Sequence, residues 1–221
     1  MAVTSLSNDQ CRRLNTALDP TMLNKLHINQ HAPKAALYSS LSRGGLDYPS
    51  FRIIQAQKGI LTLMKHLRVG STIGNDILVT LSAIQLGSGL CTPILEDTTS
   101  DLTYLSKHQF GWFLHLREQL IAMQGAIWIE HQWTPSLQRE NDVPIMSAIA
   151  MQPISTNDKM KANFCRLYSR VITIADLASE KGTRIPGCRL DGRYRAPSSR
   201  HWPNLPKPPL AWWTVYRTAI R

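Results

Sequence analysis

Residues 50–68, SFRIIQAQKGILTLMKHLR, decide the fold class. Ile53, Ala56, Ile60, Leu63, Met64 and Leu67 recur at the three- and four-residue intervals that gather side chains on one face of an α-helix. Lys58 and Lys65, seven residues apart, fall together on the polar face.

Working toward the N-terminus, Arg43-Gly44-Gly45-Leu46 reads as a turn, because glycine tolerates positive φ. Lys34–Leu41 is a short apolar stretch compatible with strand or helix. Asp19-Pro20 has the form of an N-cap followed by Pro at the first helical position, which opens a helix through Met22, Leu23 and Leu26. A separate turn before it, capped by Ser7, runs through Cys11, Leu14 and Leu18.

Toward the C-terminus, residues 73–87 form an apolar helix with Leu81 and Ile84 on one side and Val79, Ala83 and Leu86 on another, so burial all round is expected. Ile77–Leu95 holds 19 residues without a charge, close to the roughly 20 a membrane span needs. Thr80, Ser82, Gln85, Ser88 and Thr92 interrupt it, as do Gly87, Gly89 and Pro93, which favours a buried core helix over a span. Glu96, Asp97 and Asp101 lie in a polar loop. A helix over 109–124 presents Phe113, Leu116, Leu120 and Met123, and Ala126–Glu130 is a short β-like run. Thr134-Pro135 starts a helix that kinks at Pro144, unless that helix begins only at Asp142. Ser155-Thr156-Asn157-Asp158 has the pattern of a capping box. The helix it opens turns Met160, Phe164, Leu167, Tyr168 and Val171 inward and Lys159, Arg166 and Arg170 outward.

Periodicity ends after Glu180. Pro203, Pro206, Pro208 and Pro209 crowd the segment beyond, which favours extended polyproline-like backbone, and 210–221 has the length of a short helix. The expected architecture is mainly α: a bundle-like helical body with a few short strands and an irregular basic tail rich in Pro and Trp. Three consecutive regions follow, 1–70, 71–180 and 181–221.

Charge is concentrated at the end. Residues 181–221 hold nine of the 25 Lys and Arg and one of the 15 Asp and Glu, a net of +8 against +10 for the whole chain. The same stretch carries Tyr194, Trp202, Trp212, Trp213 and Tyr216. Cations neutralise phosphates and flat rings stack on bases, so this combination suits a nucleic acid. It equally suits a solvated Pro-rich tail. Apolar residues make up 43% and charged ones 18%, a globular composition able to build a core. The four cysteines (Cys11, Cys91, Cys165, Cys188) are scattered, with no Cys-x-x-Cys, so a disulfide framework is not expected. The opening residues show neither a basic n-region nor an apolar h-region. An intracellular protein, cytoplasmic or nuclear and not secreted, is the expectation.

No self-sufficient catalytic set emerges. There is no phosphate-binding Gly-x-x-x-x-Gly-Lys loop. Cys188 and His201 have no further ligands nearby to complete a structural metal site. Glu96, Asp97 and Asp101 lack the further acids that a two-metal centre needs. Cys165 beside Phe164 reads as a small packed residue. No cofactor and no metal are expected. What remains is the basic surface: Lys58, Lys65 and Arg68 along one helix, and Arg189, Arg193, Arg195, Arg200 and Trp202 in the tail. A row of cations on a helix has the pattern of an ordinary solvated face as well.

Leu26–Lys34 (LHINQHAPK), Gly44-Gly45-Leu46-Asp47-Tyr48-Pro49 and the helix over 55–68 together resemble the end of a reverse transcriptase. They are similar to the thumb and post-thumb region of non-LTR retrotransposon polyproteins, in which a Gly-Gly-Leu/Ile-Gly turn leads into a helix. Residues 93–97, 135–142 and 165–168 resemble segments found downstream of such polymerases. Asp47 replaces the family's third glycine. The palm is missing: its metal-binding Tyr/Phe-x-Asp-Asp hairpin has no counterpart, since the chain contains no Asp-Asp pair. The resemblance therefore implies a thumb that grips template and primer through phosphates, with Lys58, Lys65 and Arg68 in contact. It implies no enzyme, because without the metal-binding aspartates the chain cannot polymerise alone.

The function expected is that of a non-catalytic, nucleic-acid-binding remnant of such a reverse transcriptase. Its partners would be RNA or DNA without sequence preference, with a separate catalytic subunit as a further candidate and no membrane. The alternatives are a helical interaction or scaffold module with a Pro-rich tail, and an element-derived fragment without function.

Overall fold

The computed structural model describes residues 6–197 and 202–220, the side chains of 107–109 excepted. The helices are α1 (Asn8–Lys25), α2 (Lys34–Tyr38), α3 (Phe51–Val69), α4 (Thr72–Ser88), α5 (Lys107–Ala122), α6 (Ile145–Ala150), α7 (Thr156–Ser169), α8 (Ile174–Leu177) and α9 (Leu210–Ile220). The protein is mainly α, as its periodicity predicts. The expected short strands are absent among the described residues, where the one ladder contact is an isolated antiparallel bridge between Pro144 and Thr173. The β-like run 126–130 has no partner strand among the described residues. Its Ile127 N–H donates to the Leu95 carbonyl at 3.0 Å, and Trp128 is exposed. Strand propensity expresses packing context more than backbone preference, and here the context is missing.

The chain divides into two compact units, residues 1–75 with 111–123, and residues 76–110 with 124–221. This differs from three consecutive regions. Residues 181–221 belong to the second unit because α9 carries them back into its core.

In the first unit α1 packs on α3. Ser7 caps α1 in a reciprocal box with Gln10. The helix then runs straight through Pro20 instead of restarting at Asp19. Pro20 lacks only one intrahelical donor, and Asp19 is used elsewhere: its buried carboxylate accepts from the Tyr38 hydroxyl at 2.7 Å. Lys34–Tyr38, left open between strand and helix, is helical. The turn after it depends on two glycines. Gly44 adopts φ +76°, and a Cβ on Gly45 would sit 2.1 Å from the Ser39 carbonyl oxygen. Asp47 also takes positive φ, at +49°. The backbone then pairs back onto α2 through Leu46 N–H to Ala36 O and Tyr48 N–H to Leu37 O, at 2.9 and 3.0 Å. Ser50 accepts from Ile53 N–H to start α3, and left-handed Gly70 ends it. Ala56 and Leu63 are buried, while Ile53 and Met64 on the margin of the apolar face are exposed. Phe113, Leu116 and Leu120 are buried. Gly59 lies so near Leu116 that a Cβ there would meet Cδ1 at 3.3 Å.

In the second unit α7 packs on α9, and α6 contacts both. The core includes Ile84, Ile94, Leu95, Ile145, Met146, Cys165, Trp213 and Tyr216. Pro144 ends the preceding loop and α6 begins just after it, so the helix expected from Thr134-Pro135 does not form. α4 is not buried all round: Val79 is 70% exposed, whereas every residue from Ile84 to Leu90 is buried. Two polar side chains organise that buried end. Gln85 Nε2 donates to the carbonyls of Leu90 and Thr92 at 2.7 and 2.8 Å, and its Oε1 accepts from Ile94 N–H at 3.2 Å. Arg166 supplies the rest, as described below. No helix among the described residues is long and apolar enough to cross a membrane.

The inward face of α7 is rotated from the one expected. Ser155 caps the helix as predicted. The buried residues of the helix are Ala162, Asn163, Cys165, Arg166 and Ser169, and Val171 just beyond it is buried as expected, while Met160 is exposed and Phe164, Leu167 and Tyr168 are half-buried. Arg166, placed on the outer face by its charge, is completely buried. Its guanidinium donates to the carbonyls of Leu86 (2.7 Å), Gly87 (2.9 Å) and Val171 (3.1 Å) and to Asn163 Oδ1 (2.9 Å). The carbonyls at a helix C-terminus have no intrahelical partner, and α4 ends in the core where water cannot serve them. A fork of five donors meets that need. Burial pushes the Arg166 pKa down to about 10, still far above neutral pH, so the side chain keeps its charge.

Candidate nucleic-acid interface

α3 presents three of its cations on the side away from its core. At 100° per residue, Lys58, Leu61, Lys65 and Arg68 fall on one stripe, opposite Ala56 and Leu63. Lys58, Lys65 and Arg68 are all exposed, and among the described residues none of them makes an ion pair or hydrogen bond. The row rises about 15 Å from first to last at 1.5 Å per residue. Leu61, 59% exposed, adds an apolar contact within it. Arg68 lies in the last turn of α3, where a cation also meets the negative end of the helix dipole.

The tail cations are placed differently. Arg189 Nη1 donates to the carbonyls of Asp176 at 2.9 Å and Ala178 at 2.6 Å, and its guanidinium lies 4.7 Å from the Tyr194 ring centroid. Arg195 Nε donates to the Tyr168 carbonyl at 2.9 Å, with its guanidinium over the Tyr168 ring at 4.7 Å. Arg193 is exposed but paired with Asp191, Nη2 to Oδ2 at 2.7 Å. Arg200 lies outside the described residues. Trp202 is half-buried and lines an apolar recess of about 520 Å³ with Phe164, Leu167 and Leu205.

The other tail rings are also engaged within the second unit. Trp213 is buried, edge-on to Tyr168 and Tyr216, and Trp212 meets Phe164 edge-on at 5.3 Å. Trp213 Nε1 donates to the Pro208 carbonyl at 3.2 Å, which fixes the proline-rich segment beside α9. On the outer side of α7, Lys159 is drawn into an ion pair with Asp101 at 2.8 Å. The acidic loop is thereby accounted for. Asp97 accepts from the backbone N–H groups of Thr99 and Ser100, and Asp101 from that of Thr103. Among the described residues no three His, Cys, Asp or Glu side chains gather as metal ligands would.

One signal was hidden by averaging. Residues 1–70 hold nine Lys and Arg and three Asp and Glu, a net of +6, while 71–180 hold seven and eleven, a net of −4. Summed together they look nearly neutral. Once the units are separated, the first is basic in its own right, with the exposed Arg52 among its nine cations in residues 1–70. Against known proteins, the chain matches no family model, no curated protein and no solved structure.

Proposed function

We propose that the chain is a non-catalytic nucleic-acid-binding protein that grips RNA or an RNA–DNA hybrid through phosphates. In this reading it is a remnant of a retrotransposon reverse transcriptase. The observation that carries the proposal is the unpaired cationic row Lys58, Lys65 and Arg68 on α3 of a basic unit. Exposed cations with no counter-charge among the described residues release counterions when they meet phosphates, and that release drives binding without sequence preference. The likeness to a thumb gains some support from Asp47. It replaces the family's glycine yet adopts the left-handed conformation a glycine would take, at φ +49°. Asp is among the few residues that tolerate it.

The tail has a smaller part in this reading than its charge suggests, since Arg189 and Arg195 hold carbonyls of their own unit. A role for residues 203–209 as a free proline-rich ligand has less support, because Pro208 is buried and bonded to Trp213.

The test is binding of a labelled RNA–DNA hybrid, single-stranded RNA and duplex DNA across a salt series, with full-length protein and with Lys58→Gln/Lys65→Gln/Arg68→Gln. Steep salt dependence that flattens in the triple variant is expected. Affinity and slope unchanged by the three substitutions would overturn the assignment to α3. No binding of any nucleic acid by the unaltered protein would overturn the function.

A further inference from the structure

A second recess lies in the other unit, remote in sequence from α3. It has a volume of about 660 Å³ and is lined by the aliphatic side chains of Ile185, Leu190 and Ile220 and by the charged groups of Asp191, Arg193 and Arg217. Its size falls within the range of small-molecule sites, about 300–1,000 Å³.

Two observations point to what it would hold. Arg217 Nε is buried and meets no acceptor among the described residues. A buried guanidinium donor is ordinarily satisfied, and one that is not calls for an explanation. Charge is also unbalanced. Two guanidinium groups share one carboxylate, and Arg193 takes it, with Nε and Nη2 donating to Asp191 Oδ2 at 2.8 and 2.7 Å. The lining thus carries a net +1, within the segment 181–221 whose net charge is +8. Three of its eight lining residues, Ile185, Leu190 and Ile220, are nevertheless aliphatic, which a bare inorganic anion would leave unused.

We infer that this recess binds a phosphate monoester. Its phosphate is taken by Arg217, with Arg193 shared between it and Asp191, and its apolar or planar body lies against Ile185, Leu190 and Ile220. Arginine suits the head group because its planar fork matches phosphate oxygens. Asp191 opposes the ligand, since it competes for Arg193 and repels the incoming charge. This inference concerns a small ligand on the second unit and does not rest on nucleic-acid binding by α3.

The experiment is calorimetric titration of the full chain at low ionic strength with phenyl phosphate, inorganic phosphate and phenol. Phenyl phosphate should saturate one site and bind more tightly than inorganic phosphate, and phenol should not bind. Arg217→Gln should weaken phenyl phosphate about tenfold or more, the usual consequence of losing a charge-assisted hydrogen bond. Asp191→Asn should strengthen it by freeing Arg193. A purely structural Asp191–Arg193 pair predicts no such gain. Cys188 gives a readout in the unaltered protein: it lines the recess and is exposed, so phenyl phosphate should slow its alkylation by iodoacetamide. No saturable binding, equal affinity for phenyl and inorganic phosphate, weaker binding in Asp191→Asn, or full affinity in Arg217→Gln would each overturn the assignment. If Arg217→Gln does not fold, the Cys188 measurement decides, and alkylation at an unchanged rate overturns it.

Discussion

Arg166 Nη2 donates to the carbonyl oxygen of Leu86 at 2.7 Å, across 80 residues of sequence. With Gly87 and Val171 as further acceptors, one side chain of α7 closes the buried end of α4. Arg166→Ala would leave these carbonyls buried without donors. The expected loss is about 1–3 kcal/mol for each buried acceptor left without a donor. Lys, which keeps the charge without the fork, should recover only part of it. Gly89→Ala should act through the same contact, because its Cβ would fall 2.8 Å from the guanidinium carbon at a backbone φ of +68°. Urea denaturation midpoints of the three variants check this.

Removal of residues 181–221 is expected to unfold the second unit and not merely trim it. Trp213 and Tyr216 are buried in its core and α9 packs on α7. Trp213→Ala alone should cost about 3–5 kcal/mol, the range for emptying an aromatic site. Near-ultraviolet circular dichroism and the sharpness of thermal unfolding report it. Loss of nucleic-acid binding in a 1–180 truncation would therefore not locate the contact. Substitution of exposed cations is the cleaner test.

In the salt series, Lys58→Gln/Lys65→Gln/Arg68→Gln should lower the slope of log affinity against log salt by about 2–3, at roughly 0.7–0.9 per phosphate contact. Arg189→Gln should leave that slope unchanged and lower the melting temperature instead, since it orphans the carbonyls of Asp176 and Ala178.

Acid should weaken the second unit in a defined window. Burial raises the Asp101 pKa, but hydrogen bonds from Lys159 and Thr103 outweigh it and hold the value at about 2. For Asp97, burial is likewise outweighed by Ser100 and Thr99, again to about 2. The folded state binds these protons more weakly than the unfolded chain, in which a carboxylate titrates near about 3.9. Their contribution is therefore complete above about pH 4 and is lost as pH falls through about 2. Melting temperature should fall over that interval, and less steeply in Asp101→Asn.

Thiol reactivity should be graded by burial. Burial pushes Cys165 up to about 12, and burial followed by the charges of Asp142 and Asp176 pushes Cys91 up to about 11. The thiolate is the reactive form, so brief alkylation at pH 8 should mark the exposed Cys188 and spare Cys165. Peptide mapping by mass spectrometry reads the order.

The sequence carried the helices whose signals are local. Ser7, Ser50 and Ser155 mark true starts, and the apolar spacing of α3 and α7 gives true helices. It did not carry which face of α7 is buried. A hydrophobic pattern puts Phe164 and Leu167 inside and Arg166 outside, whereas the core needs a donor fork for the end of α4, a demand set by a distant segment. Asp19-Pro20 misleads in the same way. Its capping pattern is local, but the Asp19 carboxylate is claimed by Tyr38. For the candidate interface, the α3 row was readable from spacing alone. The engagement of Arg189 and Arg195 was not, because their carbonyl partners lie 11 or more residues away and carry no side-chain signature.

The first unit is written in two pieces, with residues 111–123 rejoining residues 1–75 after the excursion through 76–110. Its native contacts cannot be completed by neighbours in sequence alone. They wait for a loop to close, and closure entropy must be met before the buried surface of Phe113, Leu116 and Leu120 repays it. Refolding of this unit should be slower than that of an uninterrupted helical bundle of equal size. A boundary drawn at residue 70 or 75 would release a fragment that has lost one wall of its own core.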